Sequence, residues 1–179
     1  MRRDPLANPE PLIRRVYAYA AYRLGDGPDA EDVTSETFER ALRYRASFDP
    51  RLGEPVAWLL GIARRCILER TVREQAAPAE LYSVPDVAVL EDDAVTRIDL
   101  YRAVAALDDR SRELVALKYG AGLAAREIGD LLGLRTNTVE VALHRALRRL
   151  EELLTAPAEG SVATPTESPA RSESEARAV

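Results

Sequence analysis

The spacing of two glycines in "REIGDLLGLRTNTVEVALHRALRRL", residues 126–150, constrains this chain more than any other feature. Gly129 falls inside an amphipathic stretch and Gly133 ends it, with Ile128, Leu132 and Leu134 around them. Two helices crossing steeply through a short turn need a small residue midway along the first helix. They also need a residue that tolerates positive φ in the turn. Gly129 meets the first need and Gly133 the second, and Val139 completes the small core. The expectation is a helix-turn-helix. The competing arrangement, an antiparallel helical hairpin, calls for a tighter seam and no glycine within the first helix.

In the second helix Val139, Leu143, Ala146, Leu147, Leu150 and Leu154 recur at helical spacing and form the expected buried stripe. Asn137, Val141, His144, Arg145 and Arg148 point away from it. Asn137 is the expected N-cap, with Glu140 at the third helical position of a capping box. Glu140 either serves that cap or accepts a hydrogen bond from cytosine. Arg145, Arg148 and Arg149 suit phosphates, and equally suit the negative end of a helix dipole.

The N-terminal part is also helical by pattern. "PLIRRVYAYAAYRLG" places Leu12, Val16, Tyr19 and Ala20 on one stripe and stops at Gly25. A second helix follows a Gly-Pro turn, with Asp29 as expected N-cap and Ala30, Val33, Thr37, Ala41 and Tyr44 inward. Its opposite stripe is Asp29, Asp32, Glu36 and Glu39 or Arg40. "ASFDPRLGEP" reads as a loop, and "VAWLLGIARRCILERTVRE" as a third helix that begins apolar and ends basic. Residues 74–93 hold two prolines, a cluster of acids and no period, which makes them a linker. Beyond it come a helix near 94–107, one capped by Asp108 or Asp109, and the motif described above. Residues 155–179, rich in Ala, Pro, Ser and Glu, are an expected disordered tail.

The architecture expected is all-α. Two small helical domains, a bundle at 11–73 and a helix-turn-helix domain at 94–154, are joined by a flexible acidic linker at 74–93. Charge supports this division better than the total of −5 does. Residues 11–73 carry eleven Arg against nine acids, 74–100 one Arg against seven acids, and 135–150 four Arg against one Glu. One cysteine and one histidine leave no internal disulfide and no Cys/His zinc site of usual spacing, so no metal and no cofactor are expected. Cys66 reads as a small buried hydrophobe. No catalytic constellation appears, so the chain is not expected to be an enzyme. The absence of a secretory signal or an 18-residue apolar run predicts a soluble cytoplasmic protein with no membrane insertion.

Both blocks resemble one family, the extracytoplasmic-function (ECF, group IV) sigma factors of bacterial RNA polymerase, within the sigma-70 family. "DAEDVTSETFERAL" with "FDPRLGEPVAWLLGIARR" is similar to their region 2. "ALDDRSRELVALKYGAGLAAREIGDLLGLRTNTVEVALHRALRRL" is similar to their region 4. The resemblance implies a subunit that binds core polymerase, through the largest-subunit clamp and the flap, and directs it to promoter DNA. An anti-sigma factor is a further partner it allows. It implies core binding by Asp29, Asp32, Glu36 and Glu39. For the −10 element it implies Tyr44, Phe48, Asp49 and Arg51 of the loop, then Arg64 and Arg65. Phe48 either stacks on a flipped base or plugs the core, and Trp58 reads chiefly as core. The −35 element falls to Arg135, Thr136, Asn137, Val141, His144, Arg145 and Arg148. Where family members often carry Lys-Ser-Arg, this chain has Glu140, Val141 and Ala142. The acidic linker matches a segment that threads the polymerase channels in the family, or is simply solvated. Two other classes fit the residues alone: a stand-alone helix-turn-helix regulator, and a helical interaction module without DNA binding.

Overall fold

A computed structural model describes residues 4–76 and 92–155, with side chains placed for 4–73 and 99–155. Every regular element among them is helical. Helices α1 (Pro9–Leu24) and α2 (Pro28–Arg43) each open on a proline, whose fixed φ suits the first turn and whose missing N–H leaves nothing unpaired there. Pro28 therefore starts α2 with Gly27 as the cap. Asp29 lies inside the first turn and makes no cap bond, which corrects its expected place. Val16, Tyr19, Ala20 and Ala21 of α1 meet Ala30, Val33, Thr37 and Ala41 of α2 in the core. The buried hydroxyls of Thr34 and Thr37 donate to the carbonyls of Ala30 and Val33, each at 2.7 Å, so neither is left unpaired. Tyr44 departs from the expected inward stripe. It terminates α2 and stands exposed, because the chain turns at once into a 3-10 segment, Arg45–Ser47.

Helix α3 (Pro55–Ala76) completes the first layer with Val56, Leu59, Leu60, Ala63, Cys66 and Ile67 buried. The buried thiol of Cys66 is pushed above its ordinary pKa by desolvation. Because α3 reaches Ala76 and α4 (Asp92–Ala105) begins at Asp92, both ends of the expected linker are helical. Residues 77–91 of that linker, and the expected tail at 156–179, lie outside the described residues.

Asp108 caps α5 (Asp109–Val115), its Oδ1 accepting from Ser111 N at 3.0 Å. Hydrogen bonding from Ser111, by its hydroxyl first and then its N–H, holds the Asp108 carboxyl below its usual pKa. The helix then loosens into a π-helical turn, Ala116–Gly120, where the sequence reads as unbroken α-helix. Helix α6 (Ala125–Leu132) and helix α7 (Thr136–Thr155) follow.

The two halves share one apolar core. Leu114, Leu117, Leu123, Ile128 and Val139 join the cluster built by α1–α3. Gly120 marks a close backbone approach: a Cβ there would stand 2.8 Å from Ala18 O, on the backbone of α1. Arg15 Nε donates to Ala121 O at 2.5 Å, and Tyr22 meets Tyr101 edge-on at 5.5 Å. A second, smaller cluster joins Val104, Leu107, Val115, Ala146 and Leu150.

Candidate nucleic-acid interface

The motif at 125–155 is built as its glycines require. Leu134 N donates to Gly129 O at 2.8 Å, and a Cβ on Gly129 would sit 2.7 Å from Leu134 O. Gly133 ends α6 in the left-handed region at φ +68. At the other end of α6, Glu127 accepts from Ala124 N at 2.7 Å and draws in the start of the helix. Val139, Leu143, Ala146 and Leu150 are buried and Leu147 is half-buried. Leu154 is a correction. It is exposed, and Leu153 packs on the smaller cluster instead, three residues beyond Leu150.

The capping box expected at Asn137 and Glu140 is not formed. Arg135 O accepts from both Thr138 N and Val139 N, so α7 begins at Thr136 with Arg135 before it. The tight turn at Gly129–Leu134 brings the helix start forward and leaves Asn137 inside the first turn. Glu140 is exposed, placing a hydrogen-bond acceptor on the flank of this helix.

Arg135, Thr136, Asn137, Val141, His144, Arg145 and Arg148 are all exposed. Among the described residues their side chains make no hydrogen bond or ion pair, whereas Arg149 beside them is held by Glu152 at 2.9 Å. The structure thus brings six of the seven expected −35 residues outward on α7, with Arg135 immediately before it and every side-chain donor available.

The expected −10 residues divide. Tyr44 is exposed at the end of α2. Phe48 is buried against Trp58, ring centroids 5.6 Å apart, so in this conformation it is a plug. Arg51 is exposed and folds back on Asp49, which also accepts from Arg51 N at 3.0 Å. The guanidinium makes contacts of 2.7–3.1 Å. An open cleft of about 1470 Å³ separates this loop from α6; Arg43, Tyr44, Arg51, Trp58, Arg65 and Arg126 line it together with acids such as Glu69 and Asp130. Arg126 was not expected from the sequence; its signal was only one basic residue at the start of an amphipathic helix.

Arg64 and Arg65 are not equivalent. Arg65 is exposed and pairs with Glu69 at 2.9 Å. Arg64 reaches across to α5 and donates to Glu113 Oε1 at 2.7 Å. Tyr19 OH lies 3.0 and 3.1 Å from the two oxygens of the same carboxylate. Arg23 Nε is 3.0 Å away with its N–H not aimed at it, a Coulombic contact; Arg23 Nη2 reaches Asp109 at 2.8 Å. Burial, and then Glu113, drive the Tyr19 hydroxyl well above its ordinary pKa. Glu113, with 9% exposure, was invisible in the sequence as a site; the only sign was an acid on the inward side of a short helix.

The acidic stripe is partly neutralised. Asp29 and Asp32 face Arg70, the latter at 3.7 Å, and Glu36 pairs with Arg40 at 2.5 Å. Arg40 also donates to Glu69 at 2.7 Å. With Arg65 on its other oxygen, Glu69 is pulled down to a pKa of about 2. Glu39 is exposed. Among the described residues no helix is long and apolar enough to cross a membrane.

Residues 10–77 match Sigma-70 region 2, and residues 97–150 match Sigma-70, region 4. The chain is 34% identical over 149 residues to the ECF RNA polymerase sigma factor BldN of Streptomyces coelicolor; the match covers 78% of this chain and 56% of that protein, so the chain spans little more than half of it. It is 31% identical over 151 residues to the ECF RNA polymerase sigma factor SigK of Mycobacterium ulcerans, covering 79% of this chain and 81% of the relative. Its fold is similar to that of the sigma factor RpoE in complex with the anti-sigma factor NepR from Bartonella quintana. That likeness has TM-score 0.62 and 21% identity, over 81% of this chain and 92% of the other. CnrH in complex with the cytosolic domain of CnrY is similar at TM-score 0.53 and 24% identity, over 81% and 80%. With both sigma regions present in order and a relative matched over four-fifths of its length, the chain belongs to the ECF sigma factors of RNA polymerase.

Proposed function

We propose that this chain is a dissociable subunit that binds core RNA polymerase in the cytoplasm, directs it to specific promoters and assists DNA melting. The observation that carries this reading is the outward face of α7. Its seven side chains spend no bond on the fold, and the helix beneath them is locked by Gly129 and Gly133. Arg135, Asn137 and His144 offer donors to base edges in the major groove, Val141 offers apolar contact to a thymine methyl, and Arg145 and Arg148 reach phosphates. The arginine-lined cleft beside Tyr44 and Trp58 suits the −10 strand, with stacking from Tyr44 and phosphate contacts from Arg51 and Arg65, whereas Arg64, bonded to Glu113, does not line it. The exposed acids Asp29, Asp32 and Glu39, with Glu36, suit a basic partner helix on the polymerase clamp, and region 4 the flap. Bond making belongs to the polymerase, and this chain supplies promoter recognition and help in melting. An anti-sigma factor fits as a regulator, since one similar fold was solved with one.

In-vitro transcription tests the reading. Core enzyme alone is the control, and adding the chain is expected to yield promoter-specific transcripts from genomic fragments. No transcript beyond the control would refute it. A stand-alone regulator would instead bind an operator tightly without polymerase.

A further inference from the structure

Glu140 is the only acid in residues 135–150, stands among four arginines and bonds to none of them. We infer that Glu140 selects the base it faces in the −35 element, accepting from the amino group of a cytosine and rejecting guanine and thymine. The inference rests on the proposed promoter reading and adds to it one residue and one base.

Elsewhere in this chain an acid on a helix surface pairs with an arginine one turn away. Glu10 meets Arg14, Glu36 meets Arg40, Glu69 meets Arg65 and Glu152 meets Arg149. Glu140 has no cation at those spacings. Its neighbours three and four residues away are Thr136, Asn137, Leu143 and His144, and of these Leu143 is buried. The other three belong to the face offered to the −35 element, so the carboxylate is bracketed by side chains that face DNA. The structural uses of an acid at a helix start do not apply here. Glu140 is the fifth residue of α7, two beyond the position from which a capping box reaches back. It also lies past the first turn, where the helix dipole favours negative charge.

In the major groove a carboxylate meets mostly acceptors. Guanine presents N7 and O6, thymine presents O4, and adenine sets N7 beside its amino group. Cytosine alone presents a donor, its N4 amino group, with no acceptor of its own beside it. Opposite cytosine the carboxylate is hydrogen-bonded; opposite guanine or thymine it is stripped of water and faces lone pairs. Glu140 is placed to make this choice, because the N-terminal part of a recognition helix is the part that reaches base edges. It lies about 6 Å along α7 from Thr136 at the helical rise, whereas Arg145 and Arg148 lie farther along, suited to phosphates. A negative charge here also weakens the pull of α7 on phosphate in any sequence. Glu140 therefore sharpens the choice of sequence and lowers general affinity for DNA.

The test uses the full chain assembled with core polymerase and a pool of random-sequence duplexes. Bound duplexes are sequenced for wild type, Glu140→Gln and Glu140→Ala. Wild type should enrich cytosine at one position of the upstream element, with guanine there disfavoured by about fivefold to a hundredfold. Glu140→Gln should turn that same position to adenine, whose N6 and N7 suit an amide. Glu140→Ala should flatten the preference at that position, leave the other enriched positions as they are, and tighten binding to duplexes with guanine there. Thermal melts of the free variants, followed by circular dichroism, should not fall below wild type, since Glu140 makes no bond in the fold. Identical base preferences in all three proteins would overturn the reading of Glu140 and leave promoter recognition standing. Lower melting with all positions weakened together would overturn it in favour of a structural role. A wild-type holoenzyme that enriches no sequence at all would overturn promoter recognition, and the part of Glu140 with it.

Discussion

Replacing a helical glycine by alanine should have opposite signs at two positions of this chain. In a helix interior the change is favourable by about 0.5–1 kcal/mol, because alanine loses less backbone entropy on folding. At Gly61, inside α3, the new methyl would meet only Leu131 Cδ1 at 3.9 Å, an ordinary contact. Gly61→Ala should therefore stabilise by about that amount. At Gly129 the methyl would stand 2.7 Å from Leu134 O. That oxygen cannot swing away, since its neighbouring N–H is bonded to Gly129 O at 2.8 Å. The turn must retreat by roughly half an ångström or more, and overpacking of this kind costs about 1–3 kcal/mol, more against backbone than side chain. After the helical gain is subtracted, Gly129→Ala should destabilise by about 1–2 kcal/mol. At 2–4 °C per kcal/mol for a chain of this size, the melting temperature should fall by about 2–8 °C, while Gly61→Ala raises it by about 1–4 °C. Urea titrations of both variants, followed by helical circular dichroism, measure the midpoints with unchanged slope expected. The shift at Gly129 should also move the start of α7 and weaken binding to −35 DNA more than the stability loss explains. A Gly129→Ala midpoint equal to or above wild type would refute the close approach and, with it, the account of how α7 is held.

Three further outcomes follow from the geometry. Asp108→Ala removes the bond to Ser111 N and should destabilise by about 1 kcal/mol, read as a lower urea midpoint; no change would mean the cap is replaced by solvent. Glu69 ionises near pH 2 when folded, below its ordinary 4.5, so the unfolded chain binds more protons between those values and stability must fall with pH there. Glu69→Gln should accordingly be weaker than wild type at pH 7 and lose that difference as pH falls from 4.5 towards 2, measured by urea midpoints at each pH. Arg148→Ala, on the outward face of α7, should weaken promoter binding by the assembled holoenzyme evenly across sequences. It should also lower the slope of log affinity against log salt by about 1, whereas a sequence-selective loss would reassign Arg148 to base reading.

What could be read from the sequence was local. Gly129 and Gly133, the Asp108 cap and the buried stripe from Val139 to Leu150 depend on neighbours within a few residues, and each forms as spacing and residue type require. The errors arise where a nearby alternative competes. Pro28 outranks Asp29 because it is pre-set for the first turn. Arg135 displaces Asn137 as the helix boundary because the turn behind it is so tight. Leu153 replaces Leu154 because the smaller cluster lies to one side of α7. The convergence on Glu113 had no local signal at all. Its partners stand 94, 90 and 49 residues away, and nothing in "RSRELVALKYG" names them. The π turn at Ala116–Gly120, whose last residue lies against the backbone of α1, is equally silent. Phe48 is buried against Trp58, a contact ten residues apart that the loop's own sequence does not single out between its two readings.

The idle outward face of α7 has an evolutionary consequence. Arg135, Thr136, Asn137, Val141, His144, Arg145 and Arg148 anchor nothing among the described residues, while the glycines and the inward leucines do all the anchoring. On the proposed reading, selection can exchange the outward letters freely, since a substitution there would alter which genes are switched on without removing a contact of the folded chain. Duplicated copies of such a gene can diverge into separate regulons by a handful of surface changes. The Glu140-Val141-Ala142 segment, which leaves α7 unbroken from Thr136 to Thr155, is what one such divergence would leave behind.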